Sequence, residues 1–257
     1  MGTRIPPWRS GPPCKRKFTL YNAFVARKRF RTDRPLSPGA VVEAPSEEAR
    51  HAAARRVKPG EAVELVAPDG SFWAARVVSL KPLVFEAAAR LTEGGRHPLT
   101  ILTALPQPNR ASFLVEKCTE IGVGRIAPLL CERSVHAPRS PANLVERWSR
   151  VAVAAVKQSG SPLPEILAPV PFAEALERFR PLVMLHPGAG ERLADLLARR
   201  DGPLAVMIGP EGGFTEAEAE AAREAGAETC SLGPGVLRIE TAAVVCAALF
   251  AARKGKR

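Results

Sequence analysis

Three times in the last third of the chain, an apolar run breaks at a cluster of glycine and proline and gives way to a helical pattern. "PLVMLHP" (181–187) runs into "GAG", "PLAVMIGP" (203–210) into "EGGFTEAE", and "AETCSLG" (227–233) into "PGVLRIETAA". Short apolar runs separated by helices predict buried, mostly parallel strands covered on both faces. The same rhythm begins upstream with a strand at "LTILTAL" (99–105). A helix "RASFLVEKCTEI" follows, capped by Asn109 and ended by Gly122. A strand "RIAPLLC" (125–131) and a long amphipathic helix "PANLVERWSRVAVAAVKQSG" (141–160) come next. "TEAEAEAAREAG" and "IETAAVVCAALFAARK" are the last helices. In an open α/β sheet the loops at the carboxyl ends of the strands build the site. The three glycine-rich breaks are therefore where chemistry is expected.

Residues 18–90 have a different texture. "GAVVEA" (39–44), "EAVELVAP" (61–68), "SFWAARVVSL" (71–80) and "LVFEAA" (83–88) carry strand patterning, with Asp69-Gly70 supplying a hairpin turn. "SEEARHAAARRV" (46–57) reads as one short helix. Short strands around a helix predict a compact β-barrel. "LTEGGRHP" (91–98) reads as the linker between the two halves.

Charge narrows the class of partner. The net charge is +11, and residues 1–34 hold ten Lys/Arg against one acid, Asp33. Two readings of this basic front stand: a solubilising Pro/Arg-rich tail over the first residues, and a polyanion-binding surface at "VARKRFR" (25–31), where aromatic and basic residues interleave. The five cysteines form no CxxC and the four histidines no HxxxH, so no metal is expected. No apolar run approaches the roughly 20 residues of a membrane span, and no signal-length apolar stretch follows the basic start. A cytoplasmic protein is expected.

Several chemistries lack their motifs. There is no GxxxxGK[ST], no GxSxG, and no GxGxxG after a strand; "GAGERL" (188–193) fails at Leu193. What is present is "IGPEGGFTEAE" (208–218), where Thr215 and Glu218 are spaced as a capping box. Gly212 and Gly213 permit a tight loop whose main chain can approach a ligand. The plain alternative is a strand-to-helix turn with no ligand. "SLGPGVLRIETAA" (231–243) repeats the logic and adds Arg238 and Glu240 amid apolar residues. A carboxylate opening so apolar a helix needs something to satisfy it.

"IGPEGGFT" and "LGPGVLRIETAA" together resemble the RsmE-type family of 16S ribosomal RNA uridine-N3 methyltransferases, in the SPOUT superfamily. "LVEKCTEIGVGRIAPL" (114–129), "AVAAVKQSG" (152–160), and "KRFR" with "RRVKPGEAVEL" (55–65) extend the likeness over about residues 24–254. The resemblance implies an α/β fold: a C-terminal SPOUT methyltransferase domain (97–257, trefoil-knotted, mostly parallel sheet) after a small PUA-like β-barrel (23–92) and a tail (1–22). It implies S-adenosyl-L-methionine as cofactor, a homodimer, and 16S ribosomal RNA of the small (30S) subunit as substrate. The cofactor would be held by Leu185, His186, Pro187, Ile208, Gly209, Pro210, Glu211, Gly212, Gly213, Leu232, Gly233, Leu237, Arg238 and Thr241. RNA would meet Arg27, Lys28, Arg29, Arg31, Arg55, Arg56, Lys58 and Arg110.

Arg238 and Glu240 are the candidate catalytic pair: Arg238 stabilises charge on the base, and Glu240 orients Arg238 or accepts a proton. Glu211 either meets the cofactor's positive charge or faces solvent. Lys117 and Glu120 form a surface pair or serve a dimer or site role. The chain departs from the family at Ser161, at Gly235, and at "PQPNR" (106–110), where arginine, arginine and a Lys-Gly are usual. Two other readings are a 2′-O-ribose methyltransferase of the same superfamily, and a non-catalytic RNA-binding or ribosome-assembly protein.

Overall fold

The computed structural model describes residues 28–92, 96–135 and 140–253. The tail expected over 1–22 and the RNA-contact candidate Arg27 lie outside the described residues.

The N-terminal part is built from β1 (Arg29–Arg31), β2 (Val41–Glu43), α1 (Ser46–Ala54), β3 (Ala62–Val66), β4 (Phe72–Leu80) and β5 (Leu83–Thr92). Its sheet has the order β1-β3-β4-β5-β2. β3, β4 and β5 form an antiparallel meander, and β1 lies parallel to β3. The β4–β5 register shifts three times, between Phe72 and Trp73, Ala74 and Ala75, and Val77 and Ser79. Such irregularities bend a strand and raise its twist. The sheet accordingly curls around Phe30, Leu65, Trp73, Val77 and Phe85, with Ala52 of α1 packed into the same core. β1 and β2 remain at opposite ends of the strand order, so the barrel is a half-barrel. Gly70 takes the left-handed φ of 79° expected of the hairpin turn, and Asp69 accepts from Ser71 N at 2.9 Å. α1 is shorter than its sequence pattern: it stops at Ala54, because Arg56 turns left-handed (φ 50°) and Val57 N bonds back to Ala52 O.

The rest of the chain runs β6 (His97–Thr103), α2 (Pro108–Ile121), β7 (Val123–Leu130), α3 (Pro141–Ser159), β8 (Glu165–Ile166), β9 (Val170–Pro171), α4 (Phe172–Arg178), β10 (Leu182–Leu185), α5 (Leu193–Arg199), β11 (Leu204–Ile208), α6 (Glu216–Glu224), β12 (Glu228–Cys230) and α7 (Ile239–Ala252). Six of these strands stand in the order β12-β10-β11-β6-β7-β8, every pair parallel, and β9 pairs with β7. One face carries α2, α3, α5 and α7 over a core centred on Leu114, Trp148, Leu196 and Cys246. The other carries α4 and α6 over Leu129, Leu176, Met207 and Ala222.

Two further sequence expectations are corrected. Asn109 does not cap α2: the cap is Gln107, Pro108 opens the helix, and Asn109 Oδ1 accepts from Arg110 N at 2.9 Å. Proline at the first helical position fixes φ and needs no donor, which moves the start upstream. The described residues of the expected linker over 91–98 are mostly strand, since β5 runs to Thr92 and β6 begins at His97. The helices α4 and α5 were not foreseen.

The two sheets meet along α3. Lys157 forms an ion pair with the buried Glu48 of α1. The Arg29 guanidinium bonds Glu64 at 2.7 Å and donates to Gln158 O at 3.1 Å. Val66 and Phe72 pack on Val156. Gly160 ends α3 at φ 81°, and a Cβ there would lie 2.8 Å from Arg29. The left-handed turn that ends α3 therefore favours glycine at 160, and the Arg29 guanidinium lies close over it.

Candidate functional site

The loops after β10, β11 and β12 leave the same edge of the sheet, because these strands are parallel and β10 stands between the other two. They are laced together by main chain. His186 N donates to Cys230 O at 2.9 Å, Ser231 N to Glu191 O at 2.8 Å, and Leu193 N to Ser231 O at 2.9 Å. The segment leaving β12 is thereby fixed against the loop between β10 and α5.

Each loop has its own internal brace. In the first, His186 is exposed and its Nδ1 accepts from Gly188 N at 3.1 Å, so the imidazole shapes a turn. In the second, Gly213 N donates to Pro210 O at 2.8 Å with Gly213 at φ 70°. A Cβ on Gly209 would meet the Phe214 ring at 3.0 Å, so the close approach of that ring needs glycine. The capping box forms as its spacing predicts: Glu218 N donates to Thr215 Oγ1 at 3.1 Å, and Thr215 N to Glu218 Oε2 at 2.9 Å. The other carboxylate oxygen of Glu218 accepts from Glu132 N at 2.8 Å, and Arg133 donates to Gly212 O at 3.0 Å. The segment just after β7 thus clasps this loop, a role sequence reasoning missed. Replacing Glu218 with alanine leaves two backbone donors without their acceptor, and a loss of about 1–2 kcal/mol is expected. Urea unfolding measures it; an unchanged midpoint would mean that the clasp contributes nothing.

The third loop is the most open. Gly233 has φ 137°, and a Cβ there would touch nothing within 4 Å. Val236 is 82% exposed and Leu237 39%. Leu185 and Leu232 are half-buried at the base. Arg238 is the exposed residue preceding α7, and Thr241 lies exposed on its first turn. Pro187, Glu211, Gly212 and Gly213 are exposed, whereas Ile208 and Pro210 are buried.

The candidate pair Arg238–Glu240 is not formed. Glu240, only 7% exposed, is held by Arg110 of α2, and this ion pair satisfies the carboxylate whose burial the sequence left open. The geometric reason is that α2 and α7 pack side by side, turning the first buried carboxylate of α7 onto α2. Arg238 is left with no side-chain partner among the described residues.

The basic candidates divide in the same way. Lys28 pairs with Glu61 at 2.7 Å, Arg29 with Glu64, and Arg31 with Asp33. Arg29 is a brace between the sheets rather than a free cation. Arg55, Arg56 and Lys58 are exposed, and no acid pairs with their side chains among the described residues. Arg110 faces Glu240. Lys117 bridges Glu116 and Glu120 at 2.7 and 2.8 Å, a half-exposed triad on α2.

Thiol chemistry is disfavoured among the described residues. Burial pushes Cys118 and Cys131 up to about 12, and Cys230 to about 11, the last with Glu191 and Glu228 adding to the effect. Cys246 is raised as well by burial. Such groups stay protonated near neutrality and do not act as nucleophiles. Among the described residues no three His, Cys, Asp or Glu side chains are placed to hold a metal ion.

Residues 94–251 match the RNA methyltransferase domain family. A ribosomal RNA small subunit methyltransferase E from Mycobacterium bovis is 33% identical over 242 residues, covering 84% of this chain and 88% of that protein. The chain belongs to the ribosomal RNA small subunit methyltransferase E family. The curled N-terminal sheet and the parallel sheet correspond to the PUA-like and SPOUT parts of that fold. A family member from Neisseria gonorrhoeae, crystallised with S-adenosyl methionine, superposes with a TM-score of 0.78 at 29% identity, covering 86% of this chain and 95% of that one. A putative methyltransferase from Legionella pneumophila, also in complex with that cofactor, gives 0.77 at 27% identity, covering 87% and 96%.

Proposed function

We propose that the protein methylates N3 of one uridine in 16S ribosomal RNA, using S-adenosylmethionine held by the loops after β10, β11 and β12. The observation that carries this reading is the convergence of those loops on one sheet edge, with Arg238 exposed beside them. The loops suit the cofactor's parts. Backbone at Gly213 and Gly233 is uncovered by side chains and can approach an adenosine closely. Leu185, Leu232 and Leu237 offer apolar surface to a base, and Glu211 offers a carboxylate near a cationic sulfonium.

The cofactor supplies an activated methyl group on a sulfonium, so the protein's task is mostly positioning. The base must present N3 without its proton, which is released to solvent. Arg238 donates N–H groups to the carbonyl oxygens flanking N3 and stabilises the negative charge that develops there; a guanidinium does not serve as a base. Glu240 holds Arg110 and thereby fixes α7 against α2, which aims the loop carrying Arg238. Glu240 is a positioning residue in this account. Arg55, Arg56 and Lys58 steer RNA by its phosphates. Domains over residues 23–92 and 97–257 are part of this reading, and the end of β5 at Thr92 and the start of β6 at His97 support the division between them. The functional unit is a homodimer acting on ribosomal subunits in the cytoplasm; the 46% exposure of Phe113 on α2 supports a partner surface there.

The test is incubation with labelled S-adenosylmethionine and 30S subunits from a strain lacking the modification, followed by mapping of the labelled nucleotide. Label at N3 of a single uridine is expected. A blocked 2′-hydroxyl would overturn the base-methylation reading, and no transfer to either particle or naked RNA would overturn the enzymatic one.

A further inference from the structure

At the opposite end of the parallel sheet from the glycine-rich loops lies a cavity of about 320 Å³. Its titratable lining is Arg96, His97, Arg125, Glu165, Arg178 and Arg180. Four guanidinium groups thus face one carboxylate. They arrive from different elements: Arg96 immediately before β6, Arg125 on β7, Arg178 at the end of α4, and Arg180 just before β10. Chain topology, not a local basic run, assembles them.

The acids nearby do not use them up. Arg125 Nε stands 3.9 Å from Glu165 with both side chains 54% exposed, a distance at which little is gained in water. Arg178 meets Glu174 of its own helix at 3.2 Å. Arg180 gives one nitrogen to Ala225 O. Arg96 Nε is buried and has no hydrogen-bond partner among the described residues. Each guanidinium carries five N–H donors, so most of them are uncommitted, and an unpaired buried donor is costly enough to call for an acceptor. The volume is within the range of small-ligand sites.

We infer that this cavity is a phosphate-binding site. Guanidinium forks match phosphate oxygens bidentately, and four of them around one concavity favour a highly charged oxyanion. Leu204 and Ala205 of β11 line the cavity, whereas the methyl-donor loop begins at Gly209. At about 3.3 Å per residue the two sites are roughly 15 Å apart. One source of the phosphate is the backbone of the same RNA, several nucleotides from the target base, and this source rests on the proposed function. The other is a free phosphate ester.

The variant Arg125→Gln/Arg178→Gln removes two exposed members; Arg178 also lies 5.3 Å over the Phe179 ring, so the melting temperature of each variant is compared with wild type. In the full-length protein, its affinity for a fluorescent single-stranded oligoribonucleotide is expected to fall about tenfold, and the salt dependence of binding to flatten by about one unit of slope. Inorganic pyrophosphate should compete with the RNA on the wild-type protein and not on this variant. Arg125→Lys/Arg178→Lys, which keeps the charge, should keep most of the slope. Unaltered RNA binding with loss of pyrophosphate binding would assign the site to a free phosphate ester. If neither ligand distinguishes the variant from wild type, the inference is wrong. S-adenosylmethionine titration of the same samples reports separately on the loops, so a failure of the methyl-donor reading would be seen as such.

Discussion

Replacing Arg238 with alanine is expected to lower the methyl-transfer rate by about 10²–10³-fold, the effect of removing a donor from a site of developing negative charge. Affinity for S-adenosylmethionine should change little. Arg238 makes no side-chain hydrogen bond or ion pair among the described residues. It precedes α7 without capping it through its side chain, it is exposed, and the nearest candidate partner in sequence, Glu240, is turned inward onto Arg110. A cation with no side-chain partner among the described residues, beside three open loops, is free to meet a substrate. Because it would stabilise the deprotonated base, its loss should also move the pH–rate profile to higher pH: more hydroxide is needed to reach the same fraction of ionised nucleophile. Arg238→Lys keeps the charge but not the fork and should fall between. A merely structural arginine would alter cofactor affinity or melting temperature and leave the pH profile in place. Single-turnover rates across pH distinguish the two.

Gly233→Ala carries the second large effect. The φ of 137° lies where residues with a Cβ are rarely found, yet nothing stands within 4 Å of where that Cβ would be. The cost is conformational, about 1–3 kcal/mol, and the exposed loop can relieve it by changing shape. Global stability should therefore hardly move, while a cofactor that requires the native loop should bind about ten- to a hundredfold more weakly, at 1.4 kcal/mol per factor of ten. Gly235 provides the contrast. It lies in the same loop, its φ is not left-handed, and its surroundings are equally open, so Gly235→Ala should bind normally. Equal affinities for the two variants, measured by calorimetry, would show that the backbone at Gly233 is not part of the cradle.

Much of this arrangement was readable in the residues, for identifiable reasons. Strands buried on both faces leave continuous apolar runs, which is how β6, β7, β10 and β11 announced themselves. The capping box at Thr215 and Glu218 depends on contacts three residues apart and formed as written. The helices α4 and α5 have seven residues each, too few for a periodic pattern to emerge. β1 spans three residues inside a basic run that read as an RNA surface; its Phe30 is wholly buried and its flanking arginines are engaged in ion pairs. The partner of Glu240 is 130 positions away, and Arg133 reaches the second loop across 79. No local pattern encodes such pairs. The arginine cavity escaped notice for the same reason, since its members are scattered from residue 96 to residue 180.

The central claim is that three loops at one edge of the parallel sheet hold the methyl donor. Hydrogen–deuterium exchange with and without S-adenosylmethionine addresses it peptide by peptide. The account predicts slowed exchange in peptides spanning 186–192, 209–214 and 231–238, with the curled N-terminal sheet and the arginine cavity unaffected. Protection confined to other segments, or no protection at cofactor concentrations that saturate relatives, would contradict it.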